Sequence, residues 1–408
     1  MTVRIAWRSL WRHRRRTLIT IASIGLGLGL VILFVSLAEG TYTRLVEDAV
    51  RMQAGHVTVE HADYRDAPEV HLRIAGVGAM RAAIEALPEV ESTKLLVLGQ
   101  GLVRSSAGAV GVAVMGVEPE VEVTTSPLAR RLVAGRYLDA GDVPRVVVGR
   151  VLAERLGLAP GRKLVLATND ASGAMVEALF RVEGVFETGA EEVDGYLLQA
   201  PIAPVRRLYG LGADEATALG VVLRDPDTLE RAVRDVRRIV TAPSAAVRPW
   251  QEVLPEVAAF IRLDRTSDGT YQGILLFLVL CTIFNTILMS VLERTREFAV
   301  LLAIGTAPGQ LAGQLVLESA FLGLLGCGAG LLLGGGLAWL VQVYGIDLTR
   351  FYEHGMTISG FALSTRLHAR PTLHILATLA GLVFSATILV SLWPARRATQ
   401  VDLAEVLR

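Results

Sequence analysis

"TLITIASIGLGLGLVILFVSLA" (residues 17–38) runs for 22 residues without a charge. An α-helix rises about 1.5 Å per residue, so about 20 apolar residues cross a bilayer, and this stretch reads as a membrane span. It is longer than the roughly 7–15-residue core of a cleavable signal, so it reads as retained. Three more stretches qualify by the same measure: residues 273–292, 319–341 and 372–393. Arg4, Arg8, Arg12, Arg14, Arg15 and Arg16 precede the first span with no acid among them, which places the amino terminus in the cytoplasm. Four spans return the carboxyl terminus to that side, where Arg396 and Arg397 agree. Arg366, His368 and Arg370, before the fourth span, run against the bias.

Parity then fixes the organisation. The expected fold is an α-helical membrane protein with four transmembrane helices and a large α+β extracytoplasmic domain between the first and second. Its parts are a basic elbow (1–16), spans at 17–38, 273–292 and 372–393, the third transmembrane helix with its cytoplasmic extension (309–344), the outer domain (39–272), a cytoplasmic segment (293–308), an outer loop (345–371) and a tail (394–408).

Composition excludes several classes. The 408 residues are 52% hydrophobic and hold 40 acidic and 40 basic side chains, which argues against disorder and against nucleic-acid binding. Lys94 and Lys163 are the only lysines, and each is followed by leucine. A phosphate-cradling loop of the Gly-Lys-Ser/Thr kind is therefore absent. Cys281 and Cys327 fall in spans, so the outer domain has no disulfide.

Within that domain, residues 56–60, 92–104, 110–117, 145–149 and 163–168 alternate or run apolar, as strands do. Residues 77–90, 151–158 and 227–240 carry apolar side chains at helical spacing. His56, His61 and Asp63 suggest a metal site at first sight, but "HVTVEH" sets the histidines on opposite strand faces, and no metal is expected. Glu187, Glu191, Glu192 and Asp194 lack calcium-loop spacing and read as a solvated loop. Asn285 and Glu318 are polar residues in or near spans, the first suited to hydrogen bonding between helices and the second expected near the cytoplasmic boundary. No serine, cysteine or histidine arrangement argues for catalysis.

Small residues recur every fourth position at Gly25 and Gly29, at Gly326, Gly330 and Gly334, and at Ala377, Gly381 and Ser385. Such stripes let membrane helices approach closely, and they predict a packed bundle shared with a second copy. Between spans two and three lies "LERTREFAVLLAIG" (292–305). Glu293 and Glu297 suit the positive end of a helix dipole, and Glu293 can pair with Arg296. Phe298, Leu301 and Leu302 share a face, and Gly305 can end the helix in a left-handed turn. The spacing predicts a short helix at the cytoplasmic surface.

Three separated motifs carry a family resemblance. "FNTILMSVLERTREFAVLLAIGTAPGQLAGQLVLESAFLGLLG" (284–326) resembles the core of the FtsX-like, MacB-type ABC transporter permeases. "IAWRSLWRHRRRTLITIASIGLGLGL" (5–30) is similar to their elbow and first span, and "PARRATQVDLAEVLR" (394–408) to their carboxyl-terminal signature. The resemblance implies that the surface helix is a coupling helix docking into a separate ATPase, begun by Glu293, Arg294, Thr295, Arg296 and Glu297 and completed by residues 298–305. ATP and magnesium then belong to that ATPase, and this chain needs no cofactor. Leu302 stands where the family often has a basic residue, and Asp402-Leu403 where Asp-Pro is frequent.

"EVDGY" (192–196) is similar to the lipoprotein-releasing LolC/LolE branch, which implies a bacterial inner-membrane protein with a periplasmic domain that expels an amphiphilic cargo. The connection "NDASGAMV" (169–176) is short where the carrier-recruiting member of that branch has an extended hook. That leans toward the alternative of MacB-like efflux of peptides or toxic compounds through a periplasmic adaptor; FtsX-like signalling to cell-wall hydrolases is a third alternative, against which the large outer domain argues. The implied partners are an ABC ATPase, a second permease copy or paralogue, the bilayer, and an adaptor or lipoprotein carrier.

Overall fold

The computed structural model describes residues 7–8, 10–12, 14–347, 357–358, 361–362 and 366–398. The expectations for Arg4, for most of the outer loop beyond 347 and for the tail beyond 398 lie outside these residues. The chain divides into two compact units, one holding residues 1–42, 262–348 and 366–408, the other residues 43–261 and 349–365.

The long helices are Arg14–Met52, Pro255–Glu293, Pro308–Tyr344 and Leu373–Ala398, of which residues 43–52 and 255–261 belong to the second unit and the rest to the first. All four are apolar and long enough to cross a membrane. Two of them outrun the expected spans. The first continues 14 residues past Ala38, and the second begins 18 residues before Gly273. At 39 residues each rises about 58 Å, nearly twice a hydrocarbon core of about 30 Å. Hydropathy marks where a helix meets lipid, whereas "EGTYTRLVEDAVRM" (39–52) is polar yet has no proline to stop it. Gly55 does the stopping: its φ is 84°, and a Cβ there would lie 2.5 Å from the Val221 carbonyl oxygen.

The second unit is α+β. Its strands β1 to β12 are Val57–His61, Ile74–Ala75, Val90–Ser105, Gly108–Val117, Leu132–Gly135, Arg145–Gly149, Lys163–Asn169, Met175–Phe186, Leu197–Pro201, Glu215–Ala216, Ala218–Leu223 and Ala245–Pro249. Ten join one sheet in the order β12-β1-β11-β3-β4-β9-β6-β8-β5, with β7 pairing both β3 and β8. Helix 77–90 is shorter than expected, Val77–Glu85, because Pro88 follows.

Two cores sit on this sheet. One gathers Val57, Ile84, Leu219, Val221 and Val236 around β1, β11 and β12. The other gathers Val103, Val146, Leu152, Phe180 and Leu198 around β4 and β6 to β9. The 16-residue β3 serves both, since residues 90–96 pair with β11 and residues 97–105 with β4.

Candidate functional site

The segment joining the second and third membrane helices is built as a corner followed by a capped helix. Glu293 closes the helix Pro255–Glu293, Arg294 is the N-cap, and the short helix is Thr295–Ala303. This corrects the expected start: Glu293 and Arg294 precede the helix rather than begin it. The corner is held by the Thr295 hydroxyl, which donates to the Val291 and Leu292 carbonyls at 3.1 and 2.8 Å. Such a bond competes with helix continuation and favours a break here.

Arg294 is the hub. Its guanidinium reaches Glu297 Oε2 at 3.1 Å and Glu318 Oε2 at 3.1 Å, and it lies 5.1 Å from the Phe298 ring centre. Glu318 also accepts from Gln314 at 3.4 Å, and the Arg294 and Glu318 side chains are only 13% and 10% exposed. The charge-assisted clamp thus joins the corner to the third membrane helix. Arg12 adds an exposed contact to Glu297 at 3.7 Å. At this corner Arg294 pairs with Glu297 at i, i+3, and Arg296 is exposed.

Phe298 is buried among Val291, Leu311, Leu315 and Ala395, with Leu302 against the same cluster. Leu301 departs from the expected face and is 37% exposed, with Val300 at 43% and Ile304 at 78%. Gly305, at φ 99°, ends the helix: its N–H donates to Leu302 and that of Thr306 to Leu301, both at 3.1 Å. This pair of reversed bonds is a Schellman cap, and no neighbour lies within 4 Å of a Cβ built on Gly305.

The glycine stripes divide. A Cβ on Gly25 would meet Ala329 at 3.1 Å, and one on Gly29 would meet Gly334 at 3.3 Å. A Cβ built on Gly326 or Gly330 would fall 2.6 or 2.8 Å from the Ile24 or Leu28 side chain, and one on Gly334 2.6 Å from the Gly29 main chain, so the first and third membrane helices pack closely and meet backbone to backbone at Gly29 and Gly334. Gly381 meets no neighbour within this one chain. It is exposed beside Ala377 and Ser385, and nothing within 4 Å meets it, because the fourth helix turns Val383, Phe384 and Thr387 inward instead. Asn285 is also exposed and makes no hydrogen bond to a described residue.

Sequence reasoning missed the Arg294 to Glu318 clamp, although an acid within an apolar run was its signal. It also missed the edge-to-face contact of Trp7 with Phe321, 5.5 Å between ring centres, which seats the elbow on the third helix. In the outer domain Asp194 is no solvated acid. It is 2% exposed and accepts from the Thr188 N–H at 2.9 Å and hydroxyl at 2.7 Å, while burial raises its pKa. His56 is buried, with Nδ1 accepting from the Leu223 N–H at 3.2 Å. Among the described residues no group of three His, Cys, Asp or Glu could hold a metal.

Comparison with known proteins accords with this architecture. The FtsX-like permease C-terminal family matches residues 271–403, and the MacB-like periplasmic core domain matches residues 17–239, more than half of the chain. LolC, the lipoprotein-releasing system transmembrane protein of Neisseria meningitidis, is 24% identical over 96% of this chain and 94% of its own length. The pyoverdine export ATP-binding/permease protein PvdT of Pseudomonas aeruginosa is 25% identical over 98% of this chain and 57% of its own. The macrolide export ATP-binding/permease protein MacB of Agrobacterium fabrum is 24% identical over 99% and 60%. With four apolar helices and a large outer domain of the MacB periplasmic type, the chain belongs to the FtsX-like, MacB-type family of ABC transporter permeases.

Proposed function

We propose that this chain is the membrane subunit of a bacterial inner-membrane transporter, in which a separate ATPase docks on Thr295–Ala303 and drives motion of the periplasmic domain to release lipoprotein or another amphiphile. The carrying observation is the short helix itself. A left-handed cap closes one end, an ion-pair clamp holds the other, and Val300, Leu301 and Ile304 turn outward. An exposed apolar patch on a rigid element suits a groove in a partner, and rigidity lets it carry force. Two relatives are named as combined ATP-binding/permease proteins and exceed this chain in length, while LolC matches it nearly end to end. The ATP-binding function in the names of those two relatives supports an ATPase working with this permease. The arginine cluster before the first span supports a cytoplasmic position for this helix.

A second reading, MacB-like efflux, is favoured by one observation. Between β7 and β8 only residues 170–174 intervene, closed by Asp170 Oδ1 accepting from the Ser172 and Ala174 N–H groups at 2.8 and 3.0 Å. Such a tight turn offers no extended hook for a carrier.

The test is co-purification from detergent. An ATPase is expected to accompany the native chain and to be lost from Leu301→Glu/Ile304→Glu, with the variant still membrane-inserted and its melting temperature unchanged. Retention of the ATPase by that variant would refute docking on this helix.

A further inference from the structure

Only two of the 40 basic residues are lysine, and one of them, Lys94, lies on β3 with its side chain 1% exposed. Its ammonium donates to the backbone carbonyl of Arg51 at 2.8 Å and stands 3.6 Å from Glu122, whose side chain is also 1% exposed. Arg51 belongs to the last turn of the helix Arg14–Met52. The last four carbonyls of a helix have no partner within it. Here Gln53 N–H serves Ala49 at 3.1 Å, Gly55 N–H serves Val50 at 3.0 Å, and Lys94 serves Arg51. The Arg51 guanidinium meanwhile reaches Glu91 at 2.9 Å, so its main chain and its side chain are both tied to β3.

A buried ion pair is a poor means of stabilising a fold, because desolvation offsets most of the attraction. Its geometry is another matter: the Lys94 ammonium donates to the Arg51 carbonyl at 2.8 Å, and the buried Glu122 carboxylate, with neither oxygen hydrogen-bonded, has its countercharge in that ammonium 3.6 Å away. Burial lowers the Lys94 pKa and raises that of Glu122, each opposed by the other's charge. A compact ammonium on an unbranched stem fits this site, where a planar guanidinium would need more room and more acceptors.

We propose that Lys94 is a positioning residue that fixes the last turn of the first membrane helix to β3, so that movement of that helix is delivered to the strand shared by both outer cores. The proposal rests on the transport reading for the source of the movement, but the fixation itself does not.

The experiment uses the full chain in detergent, comparing Lys94→Met and Lys94→Met/Glu122→Leu with the native protein. The double variant removes both charges and keeps apolar volume, so its melting temperature should match or exceed the native one. Amide hydrogen exchange at residues 43–52 should nevertheless accelerate about 10-fold in both variants, while β7 and β8 stay as protected as before. Native-like exchange at residues 43–52 in a double variant of undiminished melting temperature overturns the proposal. With the ATPase present, the double variant should keep basal hydrolysis and lose most of its stimulation by cargo; full stimulation with a loosened helix end also overturns it. Exchange needs neither ATPase nor cargo, so failure to capture an ATPase strikes the transport reading alone.

Discussion

At the scale of single residues, His56 ties protonation to stability. Burial lowers its pKa and keeps the imidazole neutral, with Nδ1 accepting the Leu223 N–H. The unfolded chain takes up that proton near pH 6.5, at about the ordinary histidine value, and the folded chain resists it. Between that value and the lower folded one the unfolded state binds more protons, so stability falls as pH drops through the window and then levels off. The melting temperature of the full chain is expected to decline from about pH 7 to about pH 5, and less steeply in His56→Asn, whose Oδ1 takes the place of Nδ1 as acceptor for Leu223. Equal slopes for the two proteins would remove His56 from the account. Nothing in the sequence announced this, because an apolar-flanked histidine looks the same whether its ring is solvated or sealed beneath a strand.

Among elements, the crossing of the first and third membrane helices rests on missing side chains. Gly334 lies where a Cβ would come within 2.6 Å of the Gly29 main chain, so the obstacle is backbone and cannot rotate away. Gly334→Leu should destabilise the bundle by at least about 1–3 kcal/mol, as overpacking does. Gly381→Leu should leave the isolated chain within about 0.5 kcal/mol, since open space surrounds it. Thermal melts in detergent separate the two.

These elements also show what was legible. Gly25, Gly29, Gly326, Gly330 and Gly334 were readable from spacing because a helix repeats every 3.6 residues, yet the same spacing included Gly381. Periodicity tells which residues share a face and not whether another helix covers it. The short helix and its Gly305 cap followed from local chemistry, whereas its start at Thr295 depended on hydroxyl bonds back to Val291 and Leu292. β11 was hidden for a different reason: all six of its residues are buried, so no alternation marks it.

For the whole molecule, the proposed orientation gives a direct expectation. In intact cells, with Cys281 and Cys327 replaced by serine, a cysteine placed at Ser172 should react with an impermeant maleimide, and one at Ile304 only after lysis. Labelling of both from outside would undo the proposed topology. The long β3 strand has a consequence of its own. Because side chains alternate along a strand, a slip of one residue would turn hydrophobic groups outward in both halves of the outer domain at once. Neither half can correct its register alone, so calorimetry of this region should give one endotherm rather than two. Partial melting of a single half would be self-defeating, which makes the domain an all-or-none object despite its pair of cores.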